Sequence, residues 1–236
     1  VGRTASGKTG VGIELAKKLN GEIICVDSRT IDKELNIGTA KPTLKEQELV
    51  KHHLIDIIPP DQSFSAAKFK IMAKEAIEDI ASHEKLPIMV GGTGLYVDAV
   101  LFDFNFLPPA DEQLRRRLNS MSVEDLQKEI IDKNITMPIN DRNPRHLIRA
   151  IEVEGKTSTK ADLRANTLVL GLDPGLEVIK HRITDRVNDM LEQGFESEAQ
   201  AVISRYGLDA PGLRAPGYKA FNEWAENKIS YEEAVA

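Results

Sequence analysis

The chain has 236 residues, 41% hydrophobic and 29% charged, the mixture of a globular protein with one sizeable core or a core plus a small insertion. Its formal net charge of −6 excludes a uniformly basic nucleic-acid binder, although local basic patches can coexist with that sum. No run approaches the ~20 apolar residues of a membrane span, and the single Cys25 excludes an internal disulfide and points to a reducing, cytoplasmic compartment.

Residues 2–9 read Gly2-Arg3-Thr4-Ala5-Ser6-Gly7-Lys8-Thr9, which fits G-x-x-x-x-G-K-[ST] at every fixed position. The glycines let the backbone turn so that successive N–H groups face phosphate oxygens. Lys8 can reach the outer phosphate, and the Thr9 hydroxyl can ligate Mg²⁺. The amphipathic run 8–19 predicts a helix whose positive dipole end adds to the trap. The motif says that a polyphosphate binds and not which one. A P-loop follows a buried strand, and only Val1 precedes Gly2, so the N-terminus reads as cut.

Strand-like runs then alternate with helical ones. Residues 22–26 predict a strand ending at Asp27-Ser28, and 54–58 another ending at Pro59-Pro60. Residues 65–81 predict a helix, and 87–90 a strand ending at Gly91-Gly92-Thr93-Gly94. Residues 111–155 are charged and helical throughout, with Asp111 and Ser122 as N-caps and no strand signal. Residues 167–172 predict a further strand and 176–193 a further helix; the tail from 211 is helical and stops without a cap, so the C-terminus also reads as cut. The alternation predicts an α/β fold, a P-loop-type three-layer core with a mainly parallel sheet, plus an all-helical insertion. The expected organisation is core 1–110, insertion 111–155 and core 156–236. Ligands of such sheets bind beyond the carboxyl ends of the strands, which puts Asp27 and the 91–94 loop on the edge of the P-loop.

Asp27 ends an apolar strand and has three readings from spacing alone: a carboxylate that helps hold Mg²⁺, a general base, or a cap of the next turn. The 91–94 loop could bring backbone and the Thr93 hydroxyl to an anion, or be a tight turn with Thr93 as N-cap. His52-His53 reads as hydrogen-bonded structure, and without a Cys/His cluster of ligand spacing a zinc site is discarded. The buried run around Cys25 marks an inert thiol. Arg115-Arg116-Arg117 and residues 142–149 are local basic patches on an acidic chain.

Taken together, these segments resemble the tRNA dimethylallyltransferase family, the isopentenyltransferases of adenosine in tRNA. The match runs in order along nearly the whole chain. It includes the P-loop, Asp27-Ser28, Asn36-Ile37-Gly38-Thr39-Ala40-Lys41-Pro42, His52-His53-Leu54-Ile55-Asp56, Gly91-Gly92-Thr93-Gly94-Leu95-Tyr96, Leu107-Pro108-Pro109-Ala110-Asp111, Arg149-Ala150-Ile151-Glu152-Val153 and Arg214-Ala215-Pro216-Gly217-Tyr218. The resemblance implies that Thr4, Ala5, Ser6, Gly7, Lys8 and Thr9 hold the diphosphate of dimethylallyl diphosphate, with Mg²⁺ at Thr9. It implies that Asp27 is the general base toward adenine N6, with Thr93 and Arg214 near the reacting centre. It further implies tRNA contacts at Asp27, Ser28, Arg29, Thr30, Thr93, Arg115, Arg145, His146, Leu147, Ile148, Arg149, Arg214, Gly217, Tyr218 and Lys219. The insertion corresponds to the family's tRNA-gripping domain, and the enzyme implied is a monomer acting on the anticodon loop. Arg3, Thr30, Asp32, Lys219 and Ala220 depart from the family pattern. Competing readings are an adenine-nucleotide isopentenyltransferase and a P-loop small-molecule kinase, in which Arg142, Arg145 and Arg149 would mimic a lid.

Overall fold

The computed structural model describes residues 1–107 and 111–235. Two compact units emerge, Val1–Leu101 with Arg164–Ala236, and Phe102–Leu163.

The first unit is built on a parallel sheet of order β2-β1-β3, with β1 at Gly21–Val26, β2 at His52–His53 and β3 at Leu86–Gly91. β1 pairs along its whole length with β3, from Gly21↔Leu86 to Val26↔Gly91. Side chains of a strand alternate between faces, and β1 is apolar on both. Ile24 and Val26 pack with Phe69, Ala73, Ala76, Ile77 and Ile80 of α3 (Ala66–Ser82) and with Tyr96 and Val100 of α4 (Gly94–Leu101). Ile23 and Cys25 face the other way, onto Ile13 and Ala16 of α1 (Lys8–Lys18) and onto Val50, which follows α2 (Leu44–Leu49). Local signals set the helix starts: Thr43 and Glu46 form a capping box, and the Ser65 hydroxyl accepts the Lys68 N–H.

The second unit is helical: α5 (Glu112–Asn119), α6 (Val123–Asp132) and α7 (Pro144–Glu152) enclose the buried Leu118, Leu126, Ile130, Leu147, Ile148 and Ile151. Asp111 and Ser122 cap α5 and α6 as read from sequence, and Asn143 with Pro144 starts α7. The chain then returns to the first unit as α8 (Leu176–Glu192), α9 (Phe195–Tyr206), a 3₁₀ turn at Pro211–Arg214, α10 (Pro216–Ala225) and α11 (Tyr231–Val235). Leu35, Phe195, Ala199, Val202, Leu213, Tyr218 and Phe221 form the core of this last layer. Among the described residues, no helix is long and apolar enough to cross a membrane.

Two expected strands are corrected. Residues 54–58 leave the sheet after His53, because Leu54 and Asp56 adopt positive φ values of 59° and 55°. The apolar run folds back instead onto 30–33, with the Ile57 N–H donating to the Ile31 carbonyl at 2.7 Å. Residues 167–172 form no strand; Leu172 bridges Gly2, and the Val1 ammonium donates to the Leu170 carbonyl at 2.7 Å. The contact stays an isolated bridge, and Leu168 is 81% exposed.

Candidate active site

The P-loop wraps its own lysine. Ala5 and Gly7 take positive φ values of 61° and 92°, which bends residues 2–9 into a cradle ahead of α1. Lys8 Nζ donates to the Arg3 carbonyl at 2.6 Å. Ser6 is buried, and its Oγ has no hydrogen-bond partner among the described residues. An orphaned buried hydroxyl inside an N–H cradle suits a phosphate oxygen.

The carboxyl ends of β1 and β3 come together beside this loop. Gly91 lies so close to β1 that a Cβ there would fall 2.0 Å from the Val26 carbonyl oxygen. A Cβ on Gly92 would sit 3.1 Å from the Gly2 carbonyl and 3.6 Å from Lys8 Nζ. A side chain at Gly91 is excluded and one at Gly92 would be crowded, and this passage delivers Thr93 to the end of β1. Its hydroxyl accepts the Ser28 N–H at 3.0 Å and donates to Ser28 Oγ at 3.4 Å. Thr93 therefore spends its hydroxyl across the site, while its carbonyl takes the N–H groups of Tyr96 and Val97.

Asp27 caps its own turn on one oxygen: Oδ1 accepts the Arg29 N–H at 2.9 Å, and the Thr30 hydroxyl donates to the Asp27 carbonyl at 3.3 Å. Asp27 makes no ion pair among the described residues, yet its charge acts on Lys8. Burial lowers Lys8 below the usual lysine value, Asp27 opposes that shift, and Arg186 adds to it. Asp32 sits behind, 5% exposed; burial pushes its carboxyl up to about 6 against the charges of Arg29 and Lys41. Lys41 is itself buried, donating to the Asp32 carbonyl, Asn36 Oδ1 and Asp56 Oδ1. Burial, with Asp27 next, pushes the Cys25 thiol to about 12, the inert state expected of it.

Arg182 and Arg186 of α8 were missed in the sequence. Arg182 Nη1 lies 3.4 Å from the Ala5 carbonyl, and Arg186 acts electrostatically on Lys8. Their spacing puts both on one helix face, but a charged helix face ordinarily faces solvent, so nothing local sets them apart.

Arg214 ends the 3₁₀ turn and is exposed; that turn docks through the Gly212 N–H onto the Pro60 carbonyl at 2.9 Å. Gly217 abuts Phe195, and Lys219 is exposed. Tyr218, one of the tRNA contacts that the resemblance implies, packs inside this layer. Its ring is fully buried against Phe195, and its hydroxyl donates to Glu198, the carboxylate that also accepts the N–H groups of Asn36, Ile37 and Gly38. Thr30 is likewise buried. In the helical unit, Leu147 and Ile148 are 0% and 5% exposed and serve as core, while Arg145 and His146 are exposed. Arg115 and Arg149 both pair with Glu152. Pro108, Pro109 and Ala110, quoted in the resemblance, lie outside the described residues.

A family model described as IPP transferase matches residues 31–236. The chain belongs to the IPP transferase family. Among its relatives in that family, the tRNA dimethylallyltransferase of Anoxybacillus flavithermus is 38% identical over 247 residues, covering 100% of this chain and 79% of the relative. That of Bacillus velezensis is 39% identical over 251 residues, covering 100% and 80%. The full-length tRNA isopentenylpyrophosphate transferase of Bacillus halodurans superposes with a TM-score of 0.75 at 38% identity, over 99% of this chain and 78% of that one. A eukaryotic dimethylallyltransferase acting on tRNA reaches 0.78 at 27% identity, over 99% and 63%.

Proposed function

We propose that this member of the family transfers a dimethylallyl group from dimethylallyl diphosphate to N6 of the adenosine next to the anticodon in tRNA, releasing diphosphate. The observation that carries the reading is the convergence of the P-loop, Asp27 and Thr93 at one edge of the sheet, in a chain whose relatives are named for this reaction.

The chemistry divides among those residues. An exocyclic adenine amine is a weak nucleophile, so its proton must leave as the new C–N bond forms. Asp27 is the acceptor, with one oxygen spent on the Arg29 N–H. The C–O bond to diphosphate breaks in the same step, and the departing charge is met by the P-loop N–H groups, Lys8, Arg182 and Arg186. Ser6 Oγ donates to the same anion. Thr93 braces the Asp27-Ser28 turn from β3. Thr9 offers a hard oxygen donor of the kind Mg²⁺ takes alongside substrate phosphates, and the ion would supply neutralisation of the diphosphate charge. A target base inside a stacked loop is out of reach of this edge, so it must be extruded.

The test is mass spectrometry of nucleosides from tRNA incubated with the protein, dimethylallyl diphosphate and Mg²⁺. A prenylated adenosine is the expected product. Phosphoryl transfer from ATP with unmodified tRNA would replace this reading with a kinase.

A further inference from the structure

Two arginines from different helices of the 102–163 unit meet on one carboxylate. Glu152, the last residue of α7, has a fully buried side chain, while those of Arg115 and Arg149 stay 44% and 39% exposed. Arg115 grips it with both edges of its fork, Nε to Oε1 and Nη2 to Oε2 at 2.5 Å. Arg149 Nη1 lies 3.4 Å from the same Oε2, and its Nη2 lies 3.3 Å from the Leu107 carbonyl. Burying a carboxylate costs free energy that a single pair barely offsets. Shared between two guanidiniums, the buried carboxylate brings both partly exposed arginines to one place on the unit. Arg145 stands one helical turn before Arg149, also exposed.

We propose that Glu152 is a positioning residue for RNA. It presets Arg115 and Arg149 so that they meet backbone phosphates without two long side chains first having to be ordered. The proposal rests on the tRNA reading above.

The experiment measures tRNA affinity and steady-state transfer for the full chain, Glu152→Gln, the Arg115→Ala/Arg149→Ala double variant and the triple combination. Glu152→Gln keeps the shape and adds one unit of positive charge to the unit. Lost ordering of two rotamer-rich side chains should still weaken tRNA binding by about 5- to 50-fold. The KM for tRNA should rise in step, with kcat at saturating tRNA unchanged. In the double-variant background Glu152→Gln should produce no further weakening. An ion pair that only joins α5 to α7 predicts the opposite sign, because removing a negative charge favours a polyanion. Tighter or unchanged binding by folded Glu152→Gln therefore overturns the proposal. If circular dichroism shows that variant unfolded, Glu152→Asp keeps the charge and shortens the reach; it should weaken binding in the same direction, and binding equal to the parent overturns the proposal. A parent chain that fails to bind tRNA sinks the tRNA reading itself. A parent that binds, weakened by the double variant but not by Glu152→Gln, sinks only the positioning role.

Discussion

Glu22 and Asp27 bracket the same strand, and the fold treats the two carboxylates in opposite ways. At the amino end of β1, Glu22 is 5% exposed and saturated: Lys85 Nζ and His53 Nε2 each donate to it at 2.6 Å, with Lys51 at 3.4 Å. Burial alone would push its carboxyl up, but the hydrogen bonds of Lys85 and His53, with the charges of Lys51 and Lys85, hold it at about 2. At the carboxyl end, Asp27 is half-buried, accepts a backbone N–H on Oδ1 and makes no ion pair among the described residues. A carboxylate surrounded by committed cations is architecture. One with fewer protein partners, beside a phosphate cradle, is where a contact with substrate is to be tested.

The sharpest way to break this contrast is Asp27→Asn, which preserves shape and removes basicity. Single-turnover transfer should fall by ~10²–10⁴, with tRNA affinity unchanged. Near-normal transfer would return Asp27 to a capping role, and lost diphosphate affinity rescued by added Mg²⁺ would move it to the metal. Next in size are the two arginines of α8. Removing Arg182 or Arg186 as alanine should weaken dimethylallyl diphosphate binding by about 10- to 100-fold each, the equivalent of a charged hydrogen bond, measurable by calorimetry. Unchanged affinity would take α8 out of the site. The smallest effect belongs to Glu22→Gln. Transfer at saturating substrate should be unchanged, and stability should fall by about 1–2 kcal/mol, a modest loss because the orphaned lysines are partly solvated. The pH signature is specific. Because Glu22 in the folded protein sits below its ordinary value of 4.5, its contribution is complete above that pH and is lost as pH falls toward about 2. The variant's melting temperature should therefore decline less steeply than the parent's over that window. Equal slopes would show that Glu22 carries no such linkage.

The amino-acid sequence by itself determined the features whose cause is local. The P-loop is legible because its glycines, lysine and threonine act within one turn and one helix start. β1 is legible because both of its faces are apolar, and the caps Asp111 and Ser122 because each satisfies N–H groups two or three residues away. Tertiary structure alone decided what lies far apart in the chain. Residues 54–58 have the composition of a strand, yet they pair with 30–33 once Leu54 and Asp56 turn the backbone. The hydroxyl of Thr93 could have capped its own helix, and only the close passage of Gly91 against Val26 sends it to Ser28, 65 positions away. Arg182 contacts the Ala5 carbonyl across 177 positions, on a helix face whose pattern is that of any solvated surface. Local periodicity records which side of a helix is polar. It carries no record of which polar side chain will face an anion, because that depends on how helix and loop pack.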